Sequence, residues 1–186
     1  MKKGVIVFFV FSLILFFSQT GFCGEKNLIK NGGFEKYKEG DKIPEGWILN
    51  LGYPCKITVM EDENLAHGGK IFLRIDEDKE KGKNRSGAIY CKGPNIKKGE
   101  KYKFSVWAKG RGKINLFIYE YDAKGFLGSA SSEEKELTPE WKEYVFIYIP
   151  GETKYSNPEV ARISPAIHIR GTAYVDDVSL IKLEEK

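Results

Sequence analysis

The amino-acid sequence predicts an all-β protein, either a β-sandwich or a barrel, and three observations support this prediction. Apolar or alternating runs of five to nine residues recur along the chain, rich in Val, Ile, Tyr, Phe and Trp, which suit a pleated and half-buried surface. Gly, Pro, Asn or charged residues separate the runs. Nowhere do apolar residues recur at helical spacing over three turns.

The predicted strands follow one another without an internal repeat or a long linker. Their ranges are 56–60, 71–75, 87–91, 101–108, 113–121, 142–149, 161–169 and 172–183, after an extended start at 27–29. Turn residues lie between several of them, at 110–112, 122–125 and 150–151. About nine short strands without helices indicate two packed sheets or one closed sheet around a single core.

Side-chain alternation separates a core side from a polar side in three of these strands. Phe104, Leu116 and Ile167 are examples of the apolar residues on the core sides. The opposite sides carry polar and aromatic residues: Lys103, Ser105, Trp107 and Lys109; Asn115, Phe117, Tyr119 and Tyr121; Arg162, Ser164, His168 and Arg170. The run 143–149 is apolar on both sides, which predicts a central strand.

The N-terminal segment has the organisation of a secretory signal. Lys2 and Lys3 precede an apolar run at 5–17, and the small residues Gly21 and Cys23 mark a cleavage point. We therefore expect a signal peptide over residues 1–23, a single domain over 24–186, a secreted or periplasmic location, and no membrane span after cleavage. Two alternatives stay open: a membrane anchor through residues 5–22, and a lipidated Cys23.

The charge pattern argues against nucleic acid as a partner. Acidic and basic residues alternate in short clusters, and removal of Lys2 and Lys3 would lower the formal charge from +4 to +2. A nucleic-acid-binding domain carries a basic stripe, and this sequence has none. We therefore expect a solvated surface of mixed charge.

Two cysteines, Cys55 and Cys91, remain once the signal is removed. An even pair in an oxidising compartment commonly forms a disulfide, so the sequence predicts a bridge between them, with two free thiols as the alternative. Zinc would need four closely spaced ligands, and only His67 and His168 could assist the cysteines.

Seven short motifs span nearly all of residues 27–183 in a fixed order. They are NLIKNGGFE at 27–35, IPEGW at 43–47, AHGGK at 66–70, KYKFSVWAK at 101–109, YEYDAKG at 119–125, TPEW at 138–141 and YVDDVSL at 174–180. In this order they resemble carbohydrate-binding modules of the family 4/9/22 type. The resemblance implies a galactose-binding-like jelly roll, a two-sheet antiparallel β-sandwich with a sugar cleft.

The same resemblance implies a structural calcium ion that joins the N-terminal turn to the last strand. Glu35 and Asp176 match the positions that supply side-chain oxygens, and a backbone carbonyl near Lys70 would complete the set. Calcium prefers such a mixture of carboxylate and carbonyl oxygens. Hydrogen bonding within surface loops is the alternative role for the acidic pair at 176–177.

A sugar site combines a flat aromatic platform for the C–H face of the ring with polar groups for its hydroxyls. The predicted ligand-binding set contains Trp107, Tyr119, Tyr121 and Phe117, with Asn115, Arg162, His168 and Arg170 on similarly polar sides and Trp47 and Tyr53 as flanking rings. Trp107, helped by Tyr119 and Tyr121, is expected to support a neutral β-linked polysaccharide. Core packing is the alternative for Trp47 and Trp107.

Enzyme signatures are absent from the sequence: there is no G-x-S-x-G elbow, no H-E-x-x-H and no phosphate-binding glycine loop. We therefore expect non-catalytic binding of a polysaccharide or oligosaccharide by an exported, free-standing module. Two alternatives remain, a structural or adhesion sandwich without a sugar site and a small glycan-cleaving enzyme.

Overall fold

A computed structural model of the protein describes residues 26–78 and 86–184, so the expected signal segment lies outside the described residues. This part of the chain forms nine strands and no helix, and hence no helix that could span a membrane. The strands are β1 (Trp47–Leu49), β2 (Cys55–Glu61), β3 (Ile71–Glu77), β4 (Gly87–Cys91), β5 (Lys101–Tyr121), β6 (Phe126–Ser131), β7 (Lys135–Glu136), β8 (Lys142–Tyr148) and β9 (Arg162–Leu183).

Two long strands, β5 and β9, run through both layers of the fold. They pair antiparallel over almost their full length and bend together at Gly112, with φ of 113°, and Gly171, with φ of 96°. A Cβ on Gly112 would lie 2.0 Å from the carbonyl oxygen of Arg170. Glycine therefore permits both the backbone conformation and the close approach of the two strands.

The shared bend produces two antiparallel sheets. Sheet A contains the first half of β5 and the second half of β9, in the order β8-β5-β9-β3-β2. Sheet B contains the other halves, with β6 and β7 beyond β5 and with β4 and then β1 beyond β9. This confirms the predicted fold class, an all-β two-sheet antiparallel sandwich.

The inner faces of the two sheets form one apolar core. Phe104 and Val106 of sheet A and Leu116 and Ile118 of sheet B are all buried in it. Alternation along each strand therefore leaves the intervening side chains on the outer faces. Most of the predicted ligand-binding residues lie on these outer faces, whereas Trp47 lies in the core.

Four of the predicted strands are halves of two longer ones. The ranges 101–108 and 113–121 belong to β5, and 161–169 and 172–183 belong to β9. The glycines at 110, 112 and 171 bend these strands without interrupting the hydrogen-bond ladder between them. Glycine is also typical of turns, so these bends look like turns in the sequence. The extended start at 27–29 forms no strand, although Leu28 N donates to Leu180 O at 2.8 Å.

The prediction of a central strand at 143–149 is wrong. Among the described strands β8 pairs only with β5, so it lies at the edge of sheet A. Its apolar outer side chains remain partly open to solvent, and Ile147 is 42% exposed. The apolar character of both sides therefore does not reflect burial of both sides.

The predicted disulfide between Cys55 and Cys91 is also wrong, because both thiols are free. Cys55 packs against Gly87 at the start of β4, whereas Cys91 ends the same strand four residues later. The Cα atoms of Gly87 and Cys91 are therefore roughly 13 Å apart along the strand. A disulfide needs Cα atoms within about 7 Å, so Cys91 is out of reach of Cys55. Burial raises the pKa of the Cys55 thiol to about 11 and that of the Cys91 thiol to about 12.

Candidate functional site

The outer face of sheet B gathers most of the predicted ligand-binding residues. On β5 and β9 the register places Asn115 opposite His168 and Tyr119 opposite Ser164, and it also pairs the outward residues Tyr121 and Arg162. Two of the three polar sides recognised in the sequence, at 115–121 and 162–170, therefore belong to one continuous surface. We call it the aromatic face, and its rings are Tyr53, Tyr90, Phe117, Tyr119, Tyr121 and Phe126, with His168 beneath them.

Tyr119 is the centre of the aromatic face. Its ring lies 5.8 Å from Tyr90, 6.4 Å from Phe117 and 6.3 Å from Phe126, measured between ring centroids. Tyr119 itself is only 8% exposed, whereas Phe126 is 63% exposed and rests against Tyr121 at 5.6 Å. Solvent therefore meets the surrounding rings, with Tyr119 packed beneath them.

A hydrogen-bonded network fixes the rings from below. The Tyr119 hydroxyl accepts from Asn50 Nδ2 at 2.9 Å and lies 2.7 Å from His168 Nε2. His168 Nδ1 is 2.9 Å from the Ser86 hydroxyl. Asn50 donates to the Tyr119 oxygen, so the Tyr119 hydroxyl can donate its own proton to His168 Nε2. The proton of the neutral imidazole is then on Nδ1, which donates to the Ser86 hydroxyl.

His168 lies under the aromatic face and is not part of its solvent-facing surface. The ring is 3% exposed, with Phe117 stacked at 4.0 Å and Tyr53 packed edge-on at 4.7 Å. Burial lowers the pKa of His168 to about 4, so the imidazole is neutral at pH 7. Both ring nitrogens already form hydrogen bonds within the protein. His168 therefore has no free donor or acceptor for the ligand that the sequence assigned to it.

Polar groups surround the exposed rings at both ends of the aromatic face. At one end the Arg162 guanidinium lies 4.5 Å from the Tyr121 ring centroid. At the other end Arg170 Nε is 3.2 Å from a Glu134 oxygen. Asn115 Oδ1 accepts from the Ser132 hydroxyl at 3.3 Å and is half-buried. The face thus combines stacked rings with hydrogen-bonding groups, as small-molecule and sugar sites require.

Trp107 is not on the aromatic face, and the predicted platform of Trp107 with Tyr119 and Tyr121 is wrong. Its half of β5 belongs to sheet A, so its side chain lies on the outer face of the other sheet. There it stacks on His67 at 3.9 Å, and His67 packs edge-on against Trp141 at 5.9 Å. Trp107 is thus covered by the turn that contains His67.

The two flanking aromatic residues separate in the structure. Tyr53 joins the aromatic face, whereas Trp47 is 4% exposed and lies in the core. The Trp47 ring packs against Phe34 at 5.0 Å, and its Nε1 donates to Asn31 O at 3.0 Å. Trp47 therefore has the core role that the sequence left open as its alternative.

The predicted calcium ligands converge on the 66–71 turn. Glu35 Oε1 accepts from the backbone N–H groups of Lys70 and Ile71 at 2.8 and 2.9 Å. The fully buried Asp176 accepts from His67 N at 3.0 Å and from Gly68 N at 3.1 Å through Oδ2.

These oxygens accept N–H bonds from the turn, and a bound calcium ion would share them with those N–H groups. The Lys70 carbonyl likewise accepts from Asp62 N at 2.8 Å. Within residues 26–78 and 86–184, no group of three or more His, Cys, Asp or Glu side chains is placed to hold a metal ion. Calcium at Glu35, Asp176 and the Lys70 carbonyl stays a prediction.

Four residues of the site were not recognised in the sequence: Tyr90, Phe126, Asn50 and Ser86. Alternation along β4 would have found Tyr90, because Ile89 and Cys91 are core residues and Ala88 and Tyr90 must then lie outside. Phe126 follows the 122–125 turn directly, but β6 has no apolar alternation that marks it as a strand. Asn50 and Ser86 lie outside strands and have no periodic signal.

The fold and the aromatic face together define a β-sandwich of the carbohydrate-binding-module type. The sequence matches the family described as "Carbohydrate binding domain" (CBM_4_9) over residues 26–166. The chain belongs to this family. A search of the curated proteins found no significant match.

Several solved structures share the fold. The CBM22-1 xylan-binding domain of Paenibacillus barcinonensis Xyn10C is 13% identical, with a TM-score of 0.58 over 87% of this chain and 97% of that chain. TmCBM61 in complex with β-1,4-galactotriose is 22% identical, with a TM-score of 0.52 over 86% of this chain and 100% of that chain. An apo-form cyclase from Fischerella sp. is 16% identical, with a TM-score of 0.62 over 86% and 97%.

Two other matching solved chains are longer proteins, of which this chain spans 21% and 27%. At these identities the structural similarity shows the jelly-roll fold alone.

Proposed function

We propose that this domain binds a polysaccharide or oligosaccharide without catalysis, on the aromatic face of sheet B. The observation that supports this proposal is the arrangement of partly exposed rings, namely Tyr53, Tyr90, Phe117, Tyr121 and Phe126, over a satisfied polar network. A sugar ring stacks its C–H side on such a surface, and its hydroxyls reach the polar rim. Family membership supports the same ligand class.

Preorganisation is the second argument for binding at this face. Tyr119 and His168 are buried and hydrogen-bonded, so the rings that rest on them are held in place before any ligand arrives. A rigid aromatic surface loses little conformational entropy on binding, because few rotamers have to be fixed. The ligand classes named for two solved relatives, xylan and β-1,4-galactotriose, are suitable first probes.

Catalysis is the alternative function, because Fischerella cyclases share the fold. On the aromatic face, however, the imidazole of His168 is neutral, buried and bonded at both nitrogens, so it is poorly placed to exchange protons with a substrate. Non-catalytic binding accounts for this arrangement without a free acid or base. Assays of reducing ends and of unsaturated products, run on every glycan that binds, separate the two functions.

We further propose that residues 1–23 direct export and that the domain acts in the periplasm or outside the cell. The charged and apolar pattern of that segment supports this proposal. Expression of the whole chain, followed by fractionation and mass determination of the N-terminus, tests it. A mature protein that begins at Gly24 agrees with cleavage, whereas retention of Met1 in the cytoplasm contradicts export.

A screen on a glycan array, followed by calorimetric titration of each positive glycan, tests the binding function. We expect saturable binding of at least one polysaccharide or oligosaccharide, with no new reducing ends. Absence of binding to any glycan would favour the structural or adhesion role. Bond cleavage in a bound glycan would establish an enzyme instead.

A further inference from the structure

Cationic side chains at one end of the aromatic face determine which ligand charge fits there. Arg162 is half-buried, and its guanidinium lies 4.5 Å from the Tyr121 ring centroid. No carboxylate of the described residues forms an ion pair with it, whereas Arg74 pairs with Asp76 at 2.9 Å on sheet A. The positive charge of Arg162 is therefore not paired with a carboxylate of the described residues, and its planar guanidinium rests on the Tyr121 ring.

Stacking on Tyr121 fixes the guanidinium beside the sugar platform. Cation–π contact orients the plane of an arginine and leaves its edge N–H groups available for hydrogen bonds. Tyr121 also packs against the exposed Phe126 at 5.6 Å, so the available N–H groups lie next to the solvent-facing rings. A carboxylate is the ligand group that best matches this fork, because it accepts two parallel N–H bonds.

Lys92 adds a second positive charge at the same end. Outward alternation on β4 continues from Tyr90 to Lys92, and Gly93 N donates to Ile163 O at 3.1 Å, which places Lys92 opposite Ser164. Lys92 is exposed and, within the part of the chain that the structure describes, has no ion-pair partner.

The far end of the face is different. There one carboxylate, Glu134, lies 3.2 Å from Arg170 Nε and 3.1 Å from Lys113 Nζ. Glu136 lies 3.7 Å from the same Lys113 Nζ, so two carboxylates match the two positive charges at that end.

We infer that the aromatic face selects a glycan with a carboxylate, a uronic-acid unit, seated against Arg162 with Lys92 beside it. This inference rests on the proposed function and replaces the neutral polysaccharide expected from the sequence. The sugar bearing the carboxylate lies at the Tyr121 end of the face, and neighbouring sugars extend across Phe126 and Tyr90. Binding weakens with added salt, because part of the attraction is between charges.

Matched acidic and neutral glycans test the inference. Glucuronate-substituted xylo-oligosaccharides and oligogalacturonides are each compared by calorimetry with their own carboxyl-reduced forms, which keep the backbone and lose the charge. Xylohexaose and β-1,4-galactotriose serve as neutral probes. The variants are Arg162→Gln and, as a control with the same charge change, Arg111→Gln at the exposed bend of β5.

We expect the tightest glycan to be acidic and to lose about tenfold in affinity on carboxyl reduction, equivalent to about 1.4 kcal/mol. Arg162→Gln should weaken the acidic form about tenfold and its reduced form much less, and Arg111→Gln should change neither. Equal binding of acidic and reduced forms, or an equal loss of both in Arg162→Gln, overturns the inference while the binding function stands. Failure of every probe, neutral and acidic, overturns the binding function as well.

Discussion

Removal of the Tyr119 hydroxyl is the sharpest test of the network under the aromatic face. Tyr119→Phe keeps the ring and its contacts with Tyr90 and Phe117 and deletes only the oxygen. That oxygen makes two hydrogen bonds, at 2.9 Å to Asn50 Nδ2 and at 2.7 Å to His168 Nε2. The substitution therefore isolates the polar network from the packing of the rings.

The expected loss follows from what each partner can do afterwards. Asn50 is half-buried and can bond water in place of the hydroxyl. His168 is 3% exposed, so its Nε2 is left buried and unpaired. A buried polar group without a partner costs about 1–3 kcal/mol, and we expect the free energy of unfolding to fall by about 2 kcal/mol.

Urea denaturation at pH 7 measures this loss. With an m-value of about 2 kcal/mol per molar urea, the midpoint should fall by about 1 M and the m-value should not change. Tyr90→Phe is the matched control, because that ring packs against Tyr119 and its hydroxyl has no hydrogen-bond partner among the described residues. We expect the control to stay within about 0.5 kcal/mol of the wild type. If Tyr119→Phe behaves like Tyr90→Phe, the network does not hold the face.

Three further predictions concern pH, thiols and calcium. Burial lowers the pKa of His168 to about 4, so its imidazole should titrate near pH 4 by NMR; a midpoint near 6.5 would contradict its burial. As the pH falls, the unfolded state binds the His168 proton first. The contribution of His168 to the free energy of unfolding is therefore fully present above about pH 6.5 and is lost as the pH falls towards 4. Burial raises the pKa of Asp176 to about 6, which opposes this loss because the folded state binds that proton first; Asp176→Asn should therefore steepen the acid loss measured by denaturation. Cys55 and Cys91 should both react with a thiol reagent in unfolded, unreduced protein, and resist it when folded; two unreactive sulfurs after unfolding would restore the disulfide. The calcium proposal predicts that a chelator lowers the melting temperature, that calcium restores it, and that Asp176→Ala abolishes the response; a melting curve that ignores chelator contradicts it.

Alternation in the sequence predicts an all-β sandwich or barrel and the sides of its long strands, and the resemblance to carbohydrate-binding modules selects the sandwich. It correctly separates Leu116 and Ile118, which are buried in the core, from Phe117 and Tyr121, which are on the outer face. This works because a strand has a strict period of two, so local residue order fixes which side each residue faces.

Alternation does not reveal which sheet a strand half belongs to. Trp107 and Tyr119 are on outward sides of the same strand β5, but the bend at Gly112 places them on opposite layers of the sandwich. That bend depends on a close crossing with β9, a contact between residues about 60 positions apart in sequence. The same limit applies to Cys55 and Cys91, because counting cysteines gives no distance between them.

The local sequence pattern also could not predict the roles of buried polar residues. His168 has the alternation of an outward residue, but Tyr53 from a loop and Phe117 from β5 cover it. The covering residues are remote in sequence, so its loss of solvent contact is a tertiary effect. A polar residue on an outward side can therefore support a binding surface from below.

Binding by the Phe126→Ala variant tests the central claim most directly. Phe126 is 63% exposed, so the substitution removes a solvent-facing ring of the aromatic face with little effect on the core. Trp141→Ala is the matched control, since it removes an aromatic ring from the outer face of sheet A, beside His67. Calorimetric titration with the tightest glycan from the array should show that Phe126→Ala loses at least tenfold in affinity, whereas Trp141→Ala keeps wild-type affinity. Full affinity in Phe126→Ala together with a loss in Trp141→Ala would place the binding surface on sheet A and contradict the proposed site.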